Sequence, residues 1–228
     1  MNQTIIRLSC LLSLLFIVLT GACGKESRPS GKKIRTVTLY GNSIVAHDPA
    51  PAIGWEGNWG MAASCRDSDY VHIVKASLER LEPSVKVSWG NLATFERDWT
   101  TYDLSQLATY GKSDLVVIKI SENVQFKEGM ETGFLASYDR LIRQLSGPDT
   151  QVVIVEGFWP SPVNDMLRRY ASAHDYPFIA LSDLFANDKT NAAIGLFANE
   201  GVANHPSDKG MRNIAARIMQ VIGTYRYR

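Results

Sequence analysis

Ile34-Arg35-Thr36-Val37-Thr38-Leu39-Tyr40-Gly41-Asn42-Ser43 is the stretch that decides the reading of this chain. A run rich in β-branched and aromatic residues favours a strand. It ends in a small glycine and an Asn-Ser pair, residues that favour a turn. Working outward, the same kind of run returns at Leu115-Val116-Val117-Ile118-Lys119-Ile120 and over 151–158, with shorter candidates at 85–89 and 177–181. Between these runs lie helical patterns. Residues 66–81 carry Val71, Val74, Leu78 and Leu81 at helical spacing and stop at Pro83. Residues 132–145 close on Ser146-Gly147-Pro148, residues 162–173 follow Ser161 as N-cap with Pro162 at the first position, and Ser207 can cap a last helix over 208–221. Strands alternating with helices, apolar on both faces, predict an α/β fold. Its three α/β/α layers enclose a mainly parallel five-stranded sheet. Ligands in such sheets bind at the carboxyl ends of the strands, which makes Ser43 a candidate nucleophile.

The chain has 228 residues, 45% of them hydrophobic, and a net charge of +1. One domain over 34–228 suits that size, and no basic track for nucleic acid is present. Residues 1–22 read as a signal peptide: Arg7 supplies the positive region, and residues 8–19 form an apolar run shorter than the roughly 20 residues that span a bilayer. The run ends in Leu19-Thr20-Gly21-Ala22-Cys23, similar to a bacterial lipobox. Cys23 would then be lipidated, followed by a Gly/Ser/Lys-rich tether over 23–33, and the protein would be exported and anchored to a bacterial membrane. Thr20 stands where an aliphatic residue is usual, so plain signal-peptidase cleavage or an uncleaved anchor remain alternatives. Only Cys65 is left in the domain, which excludes an internal disulfide and reads as a small buried residue.

A serine hydroxyl needs a base, and histidine is the best matched near neutral pH. Of His47, His72, His174 and His205, the last stands in a loop just before the capped terminal helix, and Asp48-Pro49 argues against a helix that would pair His47 with Ser43. Asn123 follows the third strand, where an asparagine is commonly a turn former.

These residues resemble the SGNH, or GDSL-type, hydrolases across about 34–222. Gly41-Asn42-Ser43-Ile44 is similar to the block that carries the nucleophile. Asn91-Leu92-Ala93 is similar to the second block, with alanine for glycine. Ser121-Glu122-Asn123-Val124 occupies the place of the third, and Val202-Ala203-Asn204-His205-Pro206 that of the last. The resemblance implies acyl transfer: Ser43 attacks an ester carbonyl, His205 takes the proton, and the oxyanion is held by the N–H groups of Ser43 and Ala93 and the Asn123 amide. Val202 stands where the family has the aspartate that orients the histidine. Glu200, shifted by two residues, can supply that acid. Otherwise Ser43 and His205 form a dyad with a backbone carbonyl holding the ring.

Aromatic residues suggest the substrate. Trp55 and Trp59 follow the nucleophile loop and Trp159 ends the fourth strand, so they can face sugar rings or simply fill gaps beneath loops. Glu96-Arg97-Asp98 reads as a solvated loop face. No metal or cofactor motif is found. The expectation is a secreted esterase acting on acyl, chiefly acetyl, esters of carbohydrate. An O-acyltransferase on the same site, or a glycan-binding lipoprotein without turnover, are the alternatives.

Overall fold

The computed structural model describes residues 33–227. The signal segment 1–22, Cys23 and the tether up to residue 32 lie outside the described residues. Five strands form one all-parallel sheet: β1 (Thr36–Gly41), β2 (Lys86–Asn91), β3 (Leu115–Lys119), β4 (Gln151–Val155) and β5 (Phe178–Ile179). Their order is β2-β1-β3-β4-β5. The chain therefore steps to one side of β1 and then to the other, and in such sheets ligands bind at the carboxyl ends of the strands where the order reverses, here at β1.

Period-2 alternation sorts the strand side chains between two cores. Val37, Leu39, Leu115, Val117, Val153 and Val155 face the helices α1 (Tyr70–Leu81) and α7 (Asp208–Ile222). Tyr40, Val116, Ile118, Val152 and Ile154 face α3 (Glu131–Leu145) and α4 (Pro162–Ala173). Leu39 and Ile118 are fully buried, and each such side chain contributes about 1.5–3 kcal/mol of transfer free energy. The three-layer expectation holds, and the helix caps act as the sequence suggests. Ser161 accepts from the Val163 N–H at 3.2 Å and Ser207 from the Gly210 N–H at 3.4 Å.

The differences are local. The first long helix starts at Tyr70 rather than at residue 66, because Asp69 caps it by accepting from the His72 N–H at 2.8 Å, and residues Arg66–Ser68 form a separate 3-10 turn. Three short helices escaped the periodicity: α2 (Ala93–Asp98), α5 (Ser182–Asn187) and α6 (Glu200–Ala203). At four to six residues they span less than two turns, too few for an amphipathic pattern to repeat. Gly41 is required by closeness: a Cβ there would meet Val45 Cγ2 at 2.3 Å and the Lys119 carbonyl oxygen at 3.0 Å. Any side chain would push the end of β1 away from the end of β3, just where Ser43 emerges.

Candidate active site

Beyond Gly41 the chain turns away from the sheet. The N–H groups of Val45 and Ala46 donate to the Asn42 carbonyl at 2.9 and 3.1 Å, and the Ile44 N–H donates to Asn42 Oδ1 at 3.2 Å. This turn holds Ser43 partly exposed. Its own N–H takes no part in the hydrogen bonds among the described residues.

His205 arrives from 162 positions away. It sits between α6, whose cap Asn199 accepts from the Val202 N–H at 3.1 Å, and α7. Its carbonyl accepts from the Ala193 N–H at 2.9 Å. His205 Nε2 lies 2.8 Å from Ser43 Oγ, and Nδ1 lies 2.7 Å from the Gly201 carbonyl oxygen. A carbonyl only accepts, so Nδ1 carries the hydrogen and Nε2 turns its lone pair to the hydroxyl. The Trp159 ring packs edge-on against the imidazole, with centroids 5.3 Å apart at 87°, and its indole N–H donates to the Asn204 carbonyl at 3.1 Å. Burial pushes the imidazole down to about 4, against the pull of the Gly201 hydrogen bond. The ring is therefore neutral at physiological pH and free to accept a proton.

The expected partners need revision. Glu200 does not face the ring: it is exposed at the start of α6, and the position behind Nδ1 belongs to the Gly201 carbonyl. The Ala93 N–H is already given to Asn91 Oδ1 at 2.8 Å, because Asn91 folds back over the start of α2. It is not a free oxyanion donor in this arrangement. Asn123 donates one Nδ2 hydrogen to Glu96 Oε2 at 2.5 Å and accepts on Oδ1 from Arg97 at 3.3 Å, which leaves its second N–H.

Glu96 is not solvated. It is 0% exposed on the inner face of α2. Its Oε1 accepts from Asn42 Nδ2 at 3.1 Å. The same amide donates to Glu122 Oε2 at 2.7 Å, and Glu122 also accepts from the Phe158 N–H at 2.9 Å and from the Lys119 ammonium. Lys119 and Glu122 expose 1% and 2% of their side chains, so this is a buried ion pair. Burial alone would raise the Glu122 carboxyl. The Lys119 charge and the converging donors outweigh it and hold the group below the ordinary carboxylate range. Among the described residues, Glu96 has the two amides as partners and no cation in contact. Burial first and the Glu122 charge second push it up to about 7, against the Asn123 and Asn42 hydrogen bonds.

Of the aromatic residues, Trp55 is 3% exposed and enclosed by Trp59 and Phe197, so it fills a small core under the 49–64 loop and offers no face to a ligand. Trp59 is partly buried, with its indole N–H on the Ala63 carbonyl at 2.9 Å. Trp159 alone among the three borders the His205 ring. His47 turns Nδ1 to the Asp48 carbonyl at 2.6 Å, and His72 is held by Asp69 and packs on Trp89. Cys65 is exposed, contrary to its reading as a buried residue. Among the described residues no group of three or more His, Cys, Asp or Glu side chains could hold a metal ion.

In sequence comparisons no family model and no curated protein matches the chain. Solved structures do match. A two-domain esterase active on acetylated mannans, crystallised with mannopentaose, superposes with a TM-score of 0.55 at 18% identity, over 85% of this chain and 50% of that one. The chain thus spans about half the length of that protein. A G-D-S-L family lipolytic protein from Veillonella parvula DSM 2008 superposes at 0.51 with 18% identity, over 82% of this chain and 98% of its own. The acetyl xylan esterase AlAXEase does so at 0.52 with 14% identity, over 82% and 99%. The fold is that of the G-D-S-L, or SGNH, hydrolases. In this SGNH-type fold the Ser43–His205 contact lies at the carboxyl end of β1, where the strand order reverses.

Proposed function

We propose that the protein is an exported serine ester hydrolase that removes small acyl groups, acetyl first among them, from carbohydrate. One observation carries the reading: the 2.8 Å approach of Ser43 Oγ to His205 Nε2, with Nδ1 tied to the Gly201 carbonyl. As Ser43 Oγ bonds to the ester carbon, its proton passes to Nε2 and the carbonyl π electrons move onto oxygen. The Ser43 N–H and the remaining Asn123 N–H are the donors for that oxyanion. When the intermediate collapses, the alcohol leaves with the proton from Nε2. Water, deprotonated by the same nitrogen, then releases the acid and restores Ser43.

Two proteins that share the fold are described as esterases of acetylated mannans and acetyl xylan, and Trp159 offers an aromatic surface beside the base. Both support a sugar acetate as substrate. The Leu19-Thr20-Gly21-Ala22-Cys23 run supports export and a lipid anchor at Cys23. The test is turnover of acetylated manno- and xylo-oligosaccharides beside simple acetyl esters. Release of acetate that vanishes in Ser43→Ala is the expected result. Acyl-enzyme formation that turns over only when a sugar acceptor is added would make the protein an acyltransferase. Glycan binding with no covalent intermediate would make it a binding protein and overturn the proposal.

A further inference from the structure

Among the described residues, Glu96 is the one fully buried acidic side chain in this neighbourhood with no cation in contact, and the ester hydrolysis above assigns it no step. Its two oxygens accept from two different asparagines. Oε1 takes Asn42 Nδ2, on the residue before the nucleophile, and Oε2 takes Asn123 Nδ2, on the side-chain oxyanion donor. We propose that Glu96 is a positioning residue for ester hydrolysis: its carboxylate ties the nucleophile turn to the oxyanion amide and fixes the direction of the Asn123 N–H left for the oxyanion. The proposal rests on the esterase reading.

An ionised carboxylate is acceptor-only, so each asparagine must turn its NH2 group toward it. That is the arrangement present, with both Nδ2 atoms directed at Glu96. An amide NH2 held by one hydrogen keeps the other in a set direction, while Arg97 holds the amide oxygen at the far end. Protonation changes this. A carboxylic acid presents one donor, and the Asn123 amide can then turn its oxygen inward and lose its use as an oxyanion donor. The charged groups around Glu96 are Lys119 at the end of β3, Glu122 in the loop that follows, and Arg97 on its own helix, which reaches it through Asn123. Glu122 is already neutralised by Lys119, so the ionisation of Glu96 is the change left open. With Glu96 pushed up to about 7, that change falls within the working pH range. Ionisation on raising the pH gives the tethered form, so kcat should rise as pH passes upward through about 7.

The test is the pH dependence of kcat and KM for an acetyl ester in the wild-type protein, Glu96→Gln, Asn123→Ala and the double variant. The step near pH 7 should be present in the wild type and absent from Glu96→Gln. Above that pH, Glu96→Gln should lower kcat by about tenfold to 100-fold, with KM within about twofold. Because Glu96 acts through Asn123, adding Glu96→Gln to Asn123→Ala should cost no more than about threefold further. Two results overturn the proposal: a Glu96→Gln protein with wild-type kcat and the same pH step, or losses that multiply in the double variant. Should Glu96→Gln fail to fold, the wild type and Asn123→Ala decide, since a step that survives in Asn123→Ala overturns the proposal. The side-chain amide NMR signals of Asn42 and Asn123 give a readout free of turnover. They should shift together through about pH 7, and their indifference to pH overturns the inference whatever the substrate. A wild-type protein that hydrolyses no ester while these amides shift would remove the esterase reading and leave the tether standing.

Discussion

His205 meets Ser43 with a backbone carbonyl behind its ring, whereas Asn42 and Asn123 are backed by two buried carboxyl groups and a buried lysine. Among the described residues, the group in contact with His205 Nδ1 is the uncharged Gly201 carbonyl. The second region concentrates charge beneath the amides of Asn42 and Asn123. In a serine triad the acid stabilises the imidazolium that forms during attack. Here the Gly201 carbonyl stands behind the His205 ring, and the buried acids lie instead against Asn42 and Asn123. The contrast teaches that the missing aspartate at Val202 is not answered by a nearby acid such as Glu200. Acidic groups are present, but they accept hydrogen bonds from the Asn42 and Asn123 amides.

The largest effect should come from cutting the base side outright. Ser43→Ala or His205→Ala should lower kcat/KM by about 10⁴-fold or more, equivalent to about 5.5 kcal/mol, measured on an acetyl ester. A loss below tenfold in either would remove that residue from the chemistry. Next comes the charged side. Lys119→Met leaves Glu122 buried without its cation and should cost about 3–5 kcal/mol of stability in urea unfolding; a change under 1 kcal/mol would mean Glu122 takes up a proton cheaply. Asn123→Ala removes one oxyanion donor and should cost about 10²–10³ in kcat with KM little changed. If KM rises instead, the amide binds substrate rather than the transition state.

A titration sharpens the comparison further. Burial holds His205 down to about 4, so its NMR signals should show a neutral ring at pH 6 and protonation only as pH falls toward 4. The unfolded chain takes up that proton first, near its ordinary 6.5. Stability attributable to this group should therefore fall as pH drops from about 6.5 to about 4, and stay level above. A ring that titrates at 6.5 or higher would imply an anion behind Nδ1. The smallest effect belongs to Glu200→Gln, which should change kcat/KM by less than about twofold, since the residue is exposed and Gly201 supplies its carbonyl regardless. A tenfold loss would restore the triad.

Much of the first region was legible in the sequence. The strand before Ser43, the apolar runs of β3 and β4, and the Ser207 cap behind His205 are local signals, and they bring Ser43 and His205 to one sheet edge. The second region was not. Glu96-Arg97-Asp98 has the composition of a solvated face, and α2 is too short to display a buried side. Burial of Glu96 depends on partners 27 and 54 positions away, Asn123 and Asn42, which no local pattern records. Lys119 could have given the clue: a lysine inside a strand that is buried on both faces demands an acid nearby, and Glu122 follows three residues later. The Gly201 carbonyl was foreseeable only as the alternative to an acid, because backbone acceptors leave no trace in residue type.

Fluorophosphonate labelling of the purified protein, read by peptide mass, tests the pairing of Ser43 with His205. A single adduct on Ser43, formed at least about 10³-fold more slowly in His205→Ala, is the predicted result. Labelling of another serine, or labelling of Ser43 at an unchanged rate without His205, would contradict it.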